Sequence, residues 1–289
     1  MPRTTDRDSI RLLNTGDQIP VERLLYSSDY VYQRFTGEEL PMLLRQYPAV
    51  GLFGGSTLRS FLLSQTANPP TAWIGGFGVS WMESHNYLKF LSRLLDELTP
   101  HLLARGVRYL HYSGNDEQND WLREVLLTRG FFPYRQLYAY DKFDYTIPTT
   151  GNRQVSVRPM QRRDIPALLA IEAACFEDLW RYDAVSFEHI AATHPYFVVA
   201  ELNGQVIGYQ FNALDGEYGY LVRIAVHPSI NSKGVGARLM AEAIRFFERE
   251  HVLRIMLNTQ DDNLHAHRLY EWFGFVRIPQ IGFVLRKPL

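Results

Sequence analysis

Apolar positions in the second half of the chain recur with two different periods. From Gly234 to about Glu250 they fall at Val235, Leu239, Ala243 and Phe246, the spacing of one helix face. Phe197–Glu201 (FVVAE) and Gln205–Phe211 (QVIGYQF) are short apolar runs split by Asn203-Gly204, which predicts two strands joined by a tight hairpin turn. Gly219–Val226 (GYLVRIAV) predicts a strand buried on much of both faces. Simple alternation puts its Tyr220, Val222 and Ile224 on one face and Leu221, Arg223 and Ala225 on the other. Val155–Arg158 and Arg254–Asn258 predict further strands. Arg163–Cys175 predicts a helix capped by Asp164 with Pro166 in its first turn, and Asn263–Phe273 the last long helix. The predicted order is β-α-α-β-β-β-α-β-α-β, an α/β chain with a mixed sheet and helices on its faces.

The run Asp144–Arg153 (DYTIPTTGNR) gathers Pro, Thr, Gly and Asn between apolar stretches and reads as a linker. Shifted by 144 residues, Val107–Phe131 falls on His251–Phe275, with Asn119 on Asn263, Gly130 on Gly274 and Phe131 on Phe275. Both segments run strand, polar loop, amphipathic helix, Gly-Phe, strand, as expected where a left-handed glycine ends a helix and the next aromatic enters the core. The first half carries the strand Thr71–Ser80 and the helix Tyr87–Leu103, has no Gly-x-Gly at that helix start, and has Leu126 where Tyr270 stands.

Length alone allows one large domain or two, since a domain usually takes roughly 100–200 residues. The repeat selects two, 1–148 and 149–289. With 46% hydrophobic and 21% charged residues, disordered, collagen-like and disulfide-scaffold classes are excluded. Thirty Lys+Arg against 31 Asp+Glu make no field that calls for nucleic acid or an anionic membrane as partner. Cys175 is the only cysteine, the first residues have no apolar core, and no run of about 18 apolar residues occurs, so a cytoplasmic protein is expected. Aromatics reach 13%; Tyr26, Tyr30, Tyr32, Trp73, Trp81 and Trp121 suit a cleft lining or, more simply, core packing.

The informative segment is LVRIAVHPSINSKGVGARLM, an apolar strand, a polar loop and Gly234-Val235-Gly236 opening a helix. Glycines let main-chain amides approach a ligand, and a helix N-terminus carries about half a positive charge, so this turn suits a pyrophosphate. Alone, Gly-x-Gly is weak. A dinucleotide fold wants a third glycine where Leu239 stands, and the Gly-Lys-Ser/Thr of a P-loop is absent.

Ala225-Val226-His227-Pro228 followed by Asn231-Ser232-Lys233-Gly234-Val235-Gly236 resembles the acetyl-CoA motif of the GNAT superfamily of N-acetyltransferases. Asn263, Ala266, Leu269, Tyr270, Gly274 and Phe275 match its second signature in full. The resemblance covers about Val155 to Leu285 and implies two tandem GNAT-like domains, each a twisted, mostly antiparallel sheet flanked by helices, with the first domain non-catalytic. It implies that acetyl-CoA is the cosubstrate and a primary amine, of a small molecule or a peptide N-terminus, the acceptor. Amides from Ser232 to Ala237 would hold the pyrophosphate, and main-chain groups of Ile224, Ala225 and Val226 would run along the pantetheine arm. Asn263 and Ala266 would help anchor that arm, and Tyr270 would protonate the departing thiolate. Phe176 and Trp180 are similar to the first-helix region of ribosomal-protein N-terminal acetyltransferases.

Departures matter too. Asn231 replaces the usual Arg or Gln, and Ser232 the usual glycine. The strand carboxylate that often serves as base has no match; Glu217 is the first candidate and His227 the second. Arg181 and Arg223 hint at an acceptor bearing a carboxylate. Cys175 reads as a buried structural thiol. His265 and His267, two apart on a helix, face different ways, and no metal is expected. An acyl-CoA-binding module without turnover is the competing class, and monomer and homodimer both stay open.

Overall fold

The computed structural model describes residues 8–65, 69–230 and 233–289; Asn231 and Ser232 lie outside the described residues. The chain divides into two compact units. One holds the chain up to Gly114, Asn119–Tyr134 and Val284–Leu289; the other holds Asn115–Gln118 and Arg135–Phe283. The division therefore does not fall at a single point in the chain.

In the first half the elements are β1 (Asp8–Leu12), α1 (Gln18–Ser27), β2 (Val31–Gln33), α2 (Leu40–Gln46), β3 (Ala49–Gly54), β4 (Thr57–Gln65), β5 (Thr71–Val79), α3 (Tyr87–Leu103), β6 (Tyr109–Gly114), α4 (Trp121–Leu127) and β7 (Phe132–Lys142). Strands β1-β3-β4-β5-β6 lie side by side with β2 on β5. Strand β1 with β3, β3 with β4, β4 with β5 and β2 with β5 pair antiparallel, whereas β5 and β6 run parallel through Thr71↔Tyr109, Ala72↔Leu110 and Trp73↔His111. Helices α1 and α2 bury Val21, Leu24, Leu40 and Leu43 on Phe53 and Phe61. Of the first-half aromatics, Tyr30, Tyr87 and Trp121 pack together and Tyr32 packs on Tyr112, whereas Tyr26 is exposed.

The second half runs β8 (Ser156–Pro159), α5 (Ile165–Cys175), α6 (Ala184–Thr193), β9 (Tyr196–Leu202), β10 (Gln205–Asp215), β11 (Tyr218–Val226), α7 (Val235–Arg249), β12 (Arg254–Gln260), α8 (Leu264–Trp272) and β13 (Val276–Pro288). This is the predicted order of elements. The sheet order is β7-β12-β11-β10-β9-β8, with β11 and β12 parallel and the other pairs antiparallel. Asn203 and Gly204 both take positive φ in the β9–β10 turn, as a tight hairpin requires. Helix α7 buries Val235, Leu239, Ala243 and Phe246 as predicted, and Met240, Ile244 and Phe247 besides. With α8 it covers one face of the sheet, while α5 and α6 cover the other through Leu168, Ile171, Phe187 and Ile190 on Tyr209 and Phe211.

Two local expectations are corrected. Asp164 does not cap α5 through its side chain; its carboxylate accepts from the Gln161 N–H at 2.8 Å and pairs with Arg158 at 2.7 and 2.9 Å, closing the short turn ahead of the helix. Strand β11 is not buried on both faces, since Tyr218 is 43% and Val222 41% exposed. Its pairing with β10 also slips, Arg223 facing Phe211 but Leu221 facing Asn212, which leaves Val222 as an extra, bulged residue. Leu221 and Ile224 consequently share the α7 face, with Arg223 and Ala225 opposite, so simple alternation fails at Val222.

The two helix endings are alike. Gly130 and Gly274 have φ of 84° and 79°, and the N–H groups of Phe131 and Phe275 donate to the Leu126 and Tyr270 carbonyls at 3.2 and 3.0 Å. At the other end the match slips by one: Asp120, not Asn119, caps α4, accepting from the Leu122 and Arg123 N–H groups. Gly130→Ala and Gly274→Ala are each expected to lose about 1 to 2 kcal/mol, the penalty of a Cβ in the left-handed region. Denaturant titration checks this, and an unchanged midpoint in either variant removes the shared-ending account for that helix.

Candidate functional site

Strands β11 and β12 pair through only Tyr218↔Arg254, Gly219↔Ile255 and Tyr220↔Met256. The bulge at Val222 follows at once and bends β11 away from its neighbour. A pocket of about 620 Å³ opens beyond this parting. Ile224, Ala225 and Val226 line it from β11, Gly234–Ala237 from the start of α7, and Asn263, Ala266, Leu269 and Tyr270 from α8 and its cap. Ala174, Cys175 and Phe176 complete the wall from the end of α5.

Gly234 takes φ 73° and, having no side chain, leaves the first N–H groups of α7 uncapped by any group of its own. Gly236 is open: a Cβ there would meet only Leu269, at 3.5 Å. The turn thus offers main-chain donors and the positive helix end toward the pocket, a cradle for an anion such as a pyrophosphate. Asn263 lines the same pocket, but its amide is engaged locally. Its Oδ1 accepts from the Ala266 N–H at 3.3 Å, and its Nδ2 donates to Thr259 Oγ1 at 3.1 Å.

Tyr270 is 5% exposed. Burial raises its phenol well above the ordinary value, so the proton stays on the oxygen at neutral pH, available for donation. Its ring meets Tyr140 of β7 edge to face at 5.8 Å. Tyr140 in turn donates its hydroxyl to His267 Nδ1 at 2.7 Å, and His267 Nε2 faces the Gln260 carbonyl at 3.0 Å, which assigns the ring proton to Nε2.

The two candidate bases are not brought to the pocket wall. Glu217 lies exposed in the β10–β11 turn, seven residues from Ile224 along an extended strand, or about 23 Å. Glu217 is not among the residues that line the pocket. His227 turns its Nδ1 to Ser229 Oγ at 2.8 Å and is not part of the lining, nor is the exposed Lys233. His265 lines the pocket while His267 does not, and among the described residues no group of three His, Cys, Asp or Glu is arranged to hold a metal ion. No helix of the described residues is long and apolar enough to cross a membrane.

The arginines expected to greet an acceptor carboxylate are engaged by the protein's own groups. Arg223 donates to Glu172 at 3.3 Å and to the Trp180 carbonyl at 2.8 Å, with its guanidinium over the rings of Phe176 at 4.0 Å and Tyr182 at 4.4 Å. Glu172, fully buried, also accepts from the Tyr209 hydroxyl and from the Tyr182 N–H at 2.7 Å. Arg181 ties down the end of α5 by donating to the Phe176 and Ala173 carbonyls and to Asp178. Cys175 donates its thiol to the Val226 carbonyl at 3.2 Å and lines the pocket, rather than sitting only in a core. Burial, reinforced by the Glu172 carboxylate, pushes its thiol up to about 11. Sequence reasoning missed Ile230, His265, Leu269 and Trp272 as lining residues; the exposed indole of Trp272 was the one available signal, a large ring on the polar side of a helix.

The profile of the Acetyltransferase (GNAT) family matches residues 165–275. The N-alpha-acetyltransferase RimI of Mycobacterium tuberculosis is 30% identical over 136 residues, 45% of this chain and 84% of that protein. Among solved structures, a tandem GNAT protein from the clavulanic acid biosynthesis pathway aligns over 98% of both chains at 11% identity and TM-score 0.69. A GCN5-related N-acetyltransferase from Sphaerobacter thermophilus aligns over 98% of this chain and 96% of that one, at 14% identity and TM-score 0.65. At these identities the two structures speak to the fold.

Arg223→Ala strips the partner from a buried carboxylate and is expected to cost about 3 to 5 kcal/mol, against a smaller loss for the double replacement Arg223→Met with Glu172→Gln. Equal losses in denaturant titration would remove the paired-charge account. Cys175 should alkylate slowly near neutral pH, with about one thiol in a thousand ionised at pH 8, and about tenfold faster per pH unit up to pH 10. A rate that levels off near pH 8 would contradict the raised thiol.

Proposed function

Because the chain belongs to the Acetyltransferase (GNAT) family, we propose that the pocket between β11, α7 and α8 binds acetyl-CoA and that the protein passes the acetyl group to a primary amine. One observation supports this above the rest: the anion cradle at Gly234–Ala237 and the buried, protonated Tyr270 open into the same cavity. The N–H groups of Val235, Gly236 and Ala237 would hold the pyrophosphate. The Ile224–Val226 edge, which β12 leaves behind, would run beside the pantetheine arm, and an amide near Ile224 would polarise the thioester carbonyl. A neutral amine attacks that carbonyl carbon, the carbon–sulfur bond breaks, the sulfur takes its proton from Tyr270, and the amine's surplus proton leaves to water. The name of the Mycobacterium tuberculosis relative, an N-alpha-acetyltransferase, favours a peptide N-terminus over a small-molecule amine. The cytoplasmic setting and the non-catalytic assignment of the first half belong to the same reading.

A second reading, acyl-CoA retention without turnover, is favoured by one feature: no carboxylate lines the described pocket wall. Thiol release from acetyl-CoA over a panel of peptides and small amines separates the two. We expect turnover with at least one N-terminal peptide, and in Tyr270→Phe a fall in kcat of about a hundredfold or more with CoA affinity retained. A fall of less than about threefold would end the proton-donor role. Tight CoA binding with no acceptor in the whole panel would favour retention.

A further inference from the structure

The linker does more than join the two halves of the chain. Gly151 takes φ 67° and lies against the first turn of α7, where a Cβ on it would fall 2.3 Å from the Arg238 nitrogen, 2.6 Å from the Gly234 oxygen and 2.7 Å from the Arg238 Cα. These are main-chain atoms of a packed helix and cannot step aside as a side-chain tip can. The next residue, Asn152, donates its N–H to the Gly234 carbonyl at 3.1 Å, the same oxygen that accepts the Arg238 N–H at 3.0 Å in the first helical bond of α7. The approach is reciprocal, since a Cβ on Gly234 would meet the Asn152 nitrogen at 3.2 Å.

Both ends of this short segment are fixed. Thr149 Oγ1 accepts from the Gly151 N–H at 3.2 Å, and Asn152 Oδ1 accepts from the Gln154 N–H at 2.9 Å. Val155, 2% exposed, then packs with Val235 and Leu239 of α7. Gly234 is the hinge of the anion cradle, because its left-handed conformation sets where the N–H groups of Val235, Gly236 and Ala237 point. A glycine cannot hold that conformation by itself, as it visits both signs of φ with similar ease.

We propose that Gly151 and Asn152 are positioning residues for the cofactor turn: the linker is a strap that locks Gly234, and with it the donors of Val235–Ala237, in the orientation an anion needs. The proposal rests on the acetyl-CoA reading of the pocket. Gly151→Ala forces the strap off α7, and Gly151 is not itself a pocket-lining residue. Asn152→Pro deletes the N–H donated to Gly234, whereas Asn152→Ala keeps it.

The test is calorimetric binding of CoA, followed by steady-state kinetics. Gly151→Ala and Asn152→Pro are expected to weaken CoA by about tenfold or more and to raise the KM for acetyl-CoA in step, with the KM for the amine and kcat at saturation within about threefold. Asn152→Ala loses the Gln154 contact but keeps the N–H to Gly234, and should bind CoA at least about threefold more tightly than Asn152→Pro. A general loss of structure would lower kcat and raise both KM values together, so the split identifies the strap. A folded Gly151→Ala that binds CoA as the unmodified protein does overturns the proposal; if that variant does not fold, equal affinities for Asn152→Pro and Asn152→Ala overturn it. Should the unmodified protein fail to bind CoA, the reading of the pocket falls. The strap is then judged by amide hydrogen exchange at Val235–Ala237, faster in Asn152→Pro than in Asn152→Ala if it holds and equal if it does not.

Discussion

Everything the pocket contains follows from two parallel strands that cannot stay together. After three residue pairs β11 takes in one extra residue, Val222, and turns from β12. Main-chain donors and acceptors inside a protein are almost always paired, so an edge laid open between a sheet and two helices is an unfinished ladder, suited to an extended ligand with amide groups of its own. The same parting admits the start of α7 from one side and the face of α8 that carries Tyr270 from the other.

The opposite wall is held by charge. Burying a carboxylate and a guanidinium costs several kcal/mol per ion unless each finds close partners. Glu172 and Arg223 find them in each other, in Tyr209 and in main-chain groups of Trp180 and Tyr182. Because Arg223 also sits between the rings of Phe176 and Tyr182, the pair fixes the chain that leaves α5 at the place where Cys175 and Phe176 face the pocket. A residue that looks in the sequence like a surface cation for a substrate is thus a bolt between a helix and a strand.

What could be read from the sequence is what local chemistry decides. The buried stripe of α7, the Asn203-Gly204 turn and the glycines that end α4 and α8 depend on neighbours a few residues away, and each was predictable. The cradle glycines and Tyr270 were legible only through the resemblance of their two motifs to the GNAT superfamily, since a Gly-x-Gly turn or a helix tyrosine is weak by itself. Long-range facts were not. The bulge at Val222 has no composition mark, so the faces assigned by alternation were wrong beyond it. Nothing near Arg223 announces Glu172, fifty-one residues earlier. Gly151 looked like ordinary linker composition, since only the fold sets it against the backbone of Arg238.

Strand β7 precedes the linker, yet it supplies the antiparallel neighbour of β12 through Lys142↔Ile255 to Leu137↔Gln260, and its Tyr140 buttresses Tyr270. At the other end of the chain, Val284–Leu289 belong to the unit that holds most of the first half. A chain starting at residue 149 would therefore bare the hydrogen-bonding edge of β12, an open template for pairing with other molecules.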